Sequence, residues 1–401
     1  MAKPEIRIKG FEGEWVRLPL YDCLEISNER NSKKQFGKEQ VLSVSDDFGV
    51  VNQIELLGRS YAGKDLSNYK IVRPEQVIYT KSPLKAKPFG IIKNTNTEGI
   101  VSVLYAVYNV KDKICPAFIN WYFSPSYRTN SYLLPLINKG AKNTINITDI
   151  NALNGCIHVP QIEEQQSIAN YFKSLDSMIQ AATKKIASLK QMKSACLVSM
   201  FPQEGETTPR VRFKGFEGEW EKYKAGSIFT TFNERNRPDL PVLSANQDIR
   251  GMAPRADTGY NISHNKANEV TYKVVKPGQF VIHLRSFQGG FAHSAVEGIT
   301  SPAYTVFGFK EALRHEDYFW KIIFMSKTFV KSLEMITYGI RDGRSISFSE
   351  FAEMNFLFPS KEEQQQIASF FRSLDTQISL QEQRLEKLKQ IKSACLDKMF
   401  V

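Results

Sequence analysis

No stretch of this chain approaches the roughly 20 consecutive apolar residues of a membrane-crossing helix, and Met1-Ala2-Lys3-Pro4-Glu5 leads into no apolar core of the signal-peptide type. Both absences lead us to expect a soluble, cytoplasmic protein with no membrane partner. Cysteine is scarce. Cys23, Cys115, Cys156, Cys196 and Cys395 are odd in number and show no CxxC spacing, which speaks against a disulfide framework or structural zinc and agrees with a reducing compartment. The five histidines, His158, His264, His283, His293 and His315, are scattered without metal-ligand spacing, so no metal site is expected.

Catalytic signatures are missing too. Gly58-Arg59-Ser60-Tyr61-Ala62-Gly63-Lys64-Asp65 imitates a phosphate-binding loop, but Asp65 stands where a Mg²⁺-binding Ser or Thr is needed. Arg237-Pro238-Asp239 begins like a nuclease carboxylate motif, yet no acid-x-Lys triplet follows at a fitting interval. The Asn-Pro-Pro-aromatic tetrapeptide of adenine methyltransferases and a glycine-rich cofactor turn are both absent. We therefore expect no catalytic residue, no cofactor bound by this chain and no enzyme activity of its own.

What is present is a basic excess and an internal repeat. The 401 residues carry 53 Lys+Arg against 42 Asp+Glu, a formal net charge of +11, spread along the chain. Such a surface attracts polyanions, nucleic acid first among them. The stretch Ile6 to Trp15 (IRIKGFEGEW) returns as Val211 to Trp220 (VRFKGFEGEW), and Asn28-Glu29-Arg30-Asn31 returns as Asn233-Glu234-Arg235-Asn236, both 205 positions on. Tyr69-Lys70-Ile71-Val72 returns as Tyr272-Lys273-Val274-Val275. The closest copy joins Pro160–Phe201 to Pro359–Phe400 at a constant displacement of 199. Each half thus reads as a divergent globular domain followed by a near-duplicate segment, with a Pro/Gly/Thr-rich linker after Phe201. The expected boundaries are 1–157 for the first domain, 158–203 for the first repeated segment, 204–356 for the second domain and 357–401 for the second segment.

The repeated segments predict long helices. From Glu163 to Phe201 there is neither glycine nor proline, and apolar residues recur at steps of four and three: Ile168, Phe172, Leu175, Ile179, Ala182, Ile186 and Leu189. The copy supplies Ile367, Phe371, Leu374, Ile378, Leu385 and Leu388 in the same register, so the two helices are expected to pack as a coiled coil. Parallel packing would set Lys193 against Lys392 in one desolvated layer, which is costly. We expect antiparallel packing, with Glu382 and Glu386 available to the lysines of the first helix. Glu163, Glu164, Gln165 and Gln166 also recur, as Glu362, Glu363, Gln364 and Gln365. A partner docking once on each half would account for that, and so would recent duplication.

The globular halves read as mixed α+β. Strands are predicted near Gln76–Thr80, Ile100–Val110, Glu269–Val275 and Gln279–Leu284, and helices near Pro116–Tyr122 and Glu316–Lys331. The loops between them carry the side chains that neutralise phosphates and read base edges. Candidates for DNA contact are Lys81, Lys85, Lys87, Lys142 and Asn143 in the first half, and Arg285, Gln288, His293, Tyr338, Arg341 and Arg344 in the second.

Taken together, the Lys-Gly-Phe-Glu-Gly-Glu-Trp openings, the Tyr-Lys-Ile/Val-Val strands and the Pro-x-x-Glu-Glu-Gln-Gln helices ending in Lys-Ser-Ala-Cys-Leu resemble the specificity subunit of type I restriction-modification systems over essentially the whole chain. The resemblance implies two pseudo-symmetric target-recognition domains separated by two long helices, each domain reading one half of an asymmetric bipartite DNA sequence. It also implies docking of two methyltransferase subunits on the helices and of restriction subunits through the complex. S-adenosylmethionine, ATP and Mg would then belong to those partners. One departure is Glu75-Gln76, where the second copy has Gly278-Gln279, so the turn before that strand is expected to differ. The rival reading, a coiled-coil adaptor that does not bind DNA, predicts no preference between a target duplex and a scrambled one.

Overall fold

The glycine- and proline-free segments fold as anticipated. In the computed structural model they form single helices of 38 residues each, Ile162–Ser199 and Lys361–Lys398. The structure describes residues 2–81, 84–139, 145–246, 251–258, 266–283, 290–333 and 346–401. By internal contacts the chain forms two units, one of Met1–Lys184 with Glu382–Val401 and one of Lys185–Gln381. Each long helix therefore gives its first half to one unit and its second half to the other.

In the first unit, four antiparallel strands form a sheet in the order Leu24–Ile26, Tyr105–Val110, Val77–Thr80, Ile91–Asn94. Val77, Tyr79, Ala106 and Tyr108 alternate with Ile78 and Val107, so one face meets the main core and the other a small aliphatic cluster with Val72 and Val101. Strand Val16–Pro19 pairs antiparallel with Cys156–Val159, which ties the start of the domain to the root of the first long helix. Trp15, Phe118 and Phe172, all buried, pack there with Phe400 from the end of the second helix.

The second unit repeats this plan with a wider sheet. Its six strands run Phe229–Phe232, Thr305–Phe309, Phe280–Ile282, Phe291–Ser294, Gly251–Pro254, Leu243–Asn246, with the Gly251–Pro254 and Phe291–Ser294 pair parallel and the others antiparallel. Glu221–Lys224 pairs with Asn355–Phe358, as the counterpart pair does in the first unit. The core is markedly aromatic, with Phe229, Phe280, Phe307, Phe319, Trp320 and Phe351 almost fully buried.

Three element boundaries differ from the sequence reading, each for a local reason. The run Ile100–Val110 is two strands, Gly99–Val101 and Tyr105–Val110, because Ser102 closes a turn by accepting from the Tyr105 and Leu104 amides. Glu269 belongs to a 3-10 stretch, Lys266–Thr271, where the Thr271 hydroxyl donates to the Asn268 carbonyl, and only Lys273–Val275 is strand. The helix expected over Glu316–Lys331 breaks into Asp317–Met325 and Lys327–Leu333 at Ser326, whose extended ψ of 146° stops the first and whose hydroxyl caps the second.

The turn at Glu75 does not differ from its copy. Glu75 has φ 68° and Gly278 φ 84°. Their amides donate to equivalent carbonyls, Glu75 to Thr95 at 2.6 Å and Gly278 to Ser294 at 2.8 Å. The frame imposes the left-handed turn on both sequences, and Glu75 adopts it despite its side chain.

Candidate nucleic-acid interface

The repeated openings and the repeated helix starts are two halves of one latch. Arg7 donates through Nε and Nη2 to both carboxylate oxygens of Glu164 at 2.8 and 2.7 Å, while its other hydrogens reach the Gly13 and Glu12 carbonyls at 2.5 and 2.9 Å. Arg212 does the same to Glu363 at 2.7 and 2.7 Å and to the Gly218 carbonyl at 2.6 Å. Both glutamates are essentially buried, and such forked pairing is what holds a carboxylate away from water. Beside the latch, Gln165 accepts from the Cys115 amide at 2.8 Å and donates to the Pro160 and Lys113 carbonyls at 2.9 and 3.2 Å. Gln364 accepts from the Glu316 amide at 3.1 Å and donates to the Pro359 carbonyl at 2.9 Å.

This corrects the sequence reading of the Glu-Glu-Gln-Gln repeats. Gln165 and Gln364 are about 1% exposed and engaged within their own units, so they are no surface for a partner. Glu163, Gln166, Glu362 and Gln365 are exposed and remain available. Gln166 lines a polar cleft of about 580 Å³ with Asn120, Trp121, Asn170 and Lys173.

The seam residues take the expected places. Ile168, Phe172 and Leu175 are buried in the first unit with Leu388, Cys395 and Met399; Ile367, Phe371, Leu374 and Ile378 are buried in the second with Leu189 and Met200. Ile186 is buried, and Ile179 and Leu385 are half-buried. In the first unit Asp176 accepts from Lys392 at 2.6 Å while Tyr171, further back, lies 3.5 Å from Cys395 Sγ, further on. Ascending one helix while descending the other is antiparallel packing. In the second unit Lys193 pairs with Asp375, not with Glu382 or Glu386 as the sequence suggested. Its hydrogen bond to Cys395, and then partial burial, pushes the Tyr171 hydroxyl up to about 12.

The structure sorts the candidate DNA contacts sharply. Lys85 is exposed. Lys81 is partly open, 33% exposed, and its ammonium lies 3.0 Å from Asp149. Lys87 is corrected: it is 0% exposed, donating to Asp46 at 2.6 Å and to the Phe123 and Ser124 carbonyls at 3.2 and 2.8 Å. With its donors used internally, it braces the fold. His293 is corrected likewise, for it is 7% exposed and its Nε2 meets Asp317 at 2.6 Å. Lys142, Asn143, Arg285, Gln288, Tyr338, Arg341 and Arg344 lie outside the described residues.

Sequence reasoning missed two groups that matter here. Lys70, on strand Lys70–Val72, reaches Asp149 at 2.7 Å, and Asp149 carries Lys70 and Lys81 together. Burial alone would raise the Asp149 carboxyl, but hydrogen bonds from the two lysines outweigh it and hold the group below its ordinary value. Lys93, nearly buried, shares Asp46 with Lys87 at 3.3 Å, and desolvation lowers its ammonium despite that carboxylate. No signal in the linear sequence marks Asp149 or Asp46, because their partners lie 41 to 79 residues away in the chain. Among the described residues no group of His, Cys, Asp or Glu could hold a metal ion, and no helix is long and apolar enough to cross a membrane.

Residues 218–390 match the type I restriction modification DNA specificity domain. Among solved structures the chain is similar to a type I restriction-modification system S subunit from M. genitalium, at 12% identity and TM-score 0.57, over 100% of this chain and 99% of that one. It is also similar to the HsdS subunit from Thermoanaerobacter tengcongensis, at 16% identity and TM-score 0.48, over 96% of each chain. The first of these establishes a shared fold over the whole length. Among curated proteins no sequence matches significantly.

Proposed function

We propose that this chain is the DNA-recognition subunit of a type I restriction-modification enzyme, with residues 1–157 and 204–356 each reading one half of a bipartite, asymmetric duplex target. The observation that carries the reading is the specificity-domain match over residues 218–390, taken with the repeat that gives the first half the same latch, the same opening turns and the same helix. The two halves share their frame and differ in their loops, which is what two readers of different sequences require.

The long helices, in this reading, space the readers and dock two methyltransferase subunits, with restriction subunits joining through them. The exposed Glu163, Gln166, Glu362 and Gln365 are the docking candidates that survive the burial of their neighbours. Adenine methylation and ATP-dependent cleavage belong to those partners, which carry S-adenosylmethionine, ATP and Mg, while this chain contributes no catalytic group. Mapping methylated adenines across a genome with and without the chain tests the proposal. A bipartite motif that appears only with the chain is expected; a methylation map indifferent to it overturns the assignment.

A further inference from the structure

The first recognition domain holds a charge arrangement that its copy lacks. Each oxygen of the Asp149 carboxylate takes one ammonium, Oδ2 from Lys70 at 2.7 Å and Oδ1 from Lys81 at 3.0 Å. The Tyr108 hydroxyl, from the central sheet, donates to the Asp149 carbonyl at 2.9 Å and fixes the backbone there. The two lysines are not equivalent. The Lys70 side chain is 7% exposed and that of Lys81 33%. An ammonium as buried as Lys70 needs a counter-charge, so Lys70 claims the carboxylate, and the triad is left with one net positive charge at its open end, on Lys81. In the second half the position of Asp149 is occupied by Phe348, and the counterpart of Lys70, Lys273, donates to the Tyr304 carbonyl at 2.6 Å. The frame therefore folds without the triad, and the triad is a feature of this domain alone among the described residues.

We propose that Asp149 is a positioning residue for target recognition: it aims Lys81, so that Lys81 contacts an acceptor of the duplex, a phosphate oxygen or a base edge, in the first half-site only. This rests on the DNA-recognition reading above. A carboxylate beside a contacting cation penalises every approach that does not replace it with a well-placed acceptor, which converts a non-specific attraction into a selective one. Lys70 keeps the carboxylate in place whether or not DNA is bound, so the aim is set before contact.

The test compares wild type, Asp149→Asn, Lys81→Gln and the double variant, each in the complete complex with its methyltransferase. The readouts are a methylated-adenine map resolved into the two halves and the salt dependence of duplex binding. Asp149→Asn is expected to relax discrimination in one half-site by roughly tenfold, the scale of a lost base contact, and to leave the other half unchanged. Its binding should become steeper in salt, by about one unit of log-log slope if Lys81 meets a phosphate. Lys81→Gln, an exposed change that spares the buried pair, should relax the same half, and the double variant should add nothing to it. An unchanged motif with Lys81→Gln, or equal blurring of both halves with Asp149→Asn, overturns the proposal. A wild-type complex without a sequence-specific motif would instead sink the recognition reading itself, so the two failures are told apart.

Discussion

Lys392 donates to Asp176 at 2.6 Å, and 17 residues separate Asp176 from Lys193 just as 17 separate Asp375 from Lys392. The second pair, Lys193 with Asp375, is thus the copy of the first, and each joins the early part of one long helix to the late part of the other. These lysines interrupt an otherwise apolar seam, and their ion pairs are what make the antiparallel register self-consistent. All four side chains are 26 to 38% exposed, so each pair contributes modestly, about 0.5 to 1 kcal/mol. Reversing one pair tests the register: Asp176→Lys alone should lower the unfolding midpoint, and Asp176→Lys with Lys392→Asp should restore most of the loss. A double variant no better than the sum of its single changes would count against the pairing.

The Arg7–Glu164 latch should weigh more. Glu164 is 0% exposed at its side chain, and removing its forked partner leaves a carboxylate uncompensated in the interior. We expect Arg7→Ala to cost roughly 3 kcal/mol in denaturant unfolding of the first unit. Arg7→Met with Glu164→Met should recover much of that, because the charge is then gone from both sides. Arg212→Ala should act in the same way on the second unit through Glu363.

His315 makes stability depend on pH. It is 9% exposed, stacked on Phe309 at 5.0 Å, and burial, then repulsion from Arg314 and Lys361, pushes its imidazole down to about 4 from the ordinary 6.5. The folded state holds the ring neutral where the unfolded chain already protonates it. Stability is therefore complete above about pH 6.5, falls as pH drops toward 4, and levels off below, a loss of roughly 3 kcal/mol over that window. His315→Phe should flatten that part of the curve relative to wild type; parallel curves for the two proteins would refute the assignment to this ring.

The left-handed turn at Glu75 predicts an asymmetry between the copies. Non-glycine residues resist that conformation by about 1 kcal/mol, so Glu75→Gly should be neutral or slightly stabilising in a thermal melt. Gly278→Ala, forced into φ 84°, should destabilise by a comparable amount.

Helix length sets the last expectation. From Leu175 to Ser199 the first helix rises about 36 Å at roughly 1.5 Å per residue, close to the 34 to 36 Å or so of one duplex turn. Inserting one or two helical turns in a repeated segment should lengthen the gap between the methylated half-sites while leaving each half-site sequence intact. A motif with the original gap would remove the spacing role from the helices.

Much of this molecule is legible in the linear sequence because its strongest signals are local or repeated. The seam from Ile168 to Leu189 needs only helical periodicity, and the antiparallel sense follows from the cost of stacking Lys193 on Lys392. The family resemblance rests on motifs that can be read without a fold. The Glu-Glu-Gln-Gln repeat shows where that kind of reading stops. Recurrence said that something holds those residues, and it pointed outward to a partner, whereas Glu164 and Gln165 are held from within by Arg7 and by the Cys115 amide.

Which side chains face solvent was decided by the tertiary structure alone. Lys81, Lys85 and Lys87 look alike in sequence, yet one is shared with a carboxylate, one is exposed and one is sealed inside among two carbonyls and Asp46. Periodicity, charge balance and duplication are properties of neighbours along the chain, so the sequence determined the helices, the twofold plan and the absence of recognisable catalytic motifs. Burial and ion pairing depend on groups brought together from distant positions, such as Lys70 and Asp149, and only folding sets those distances.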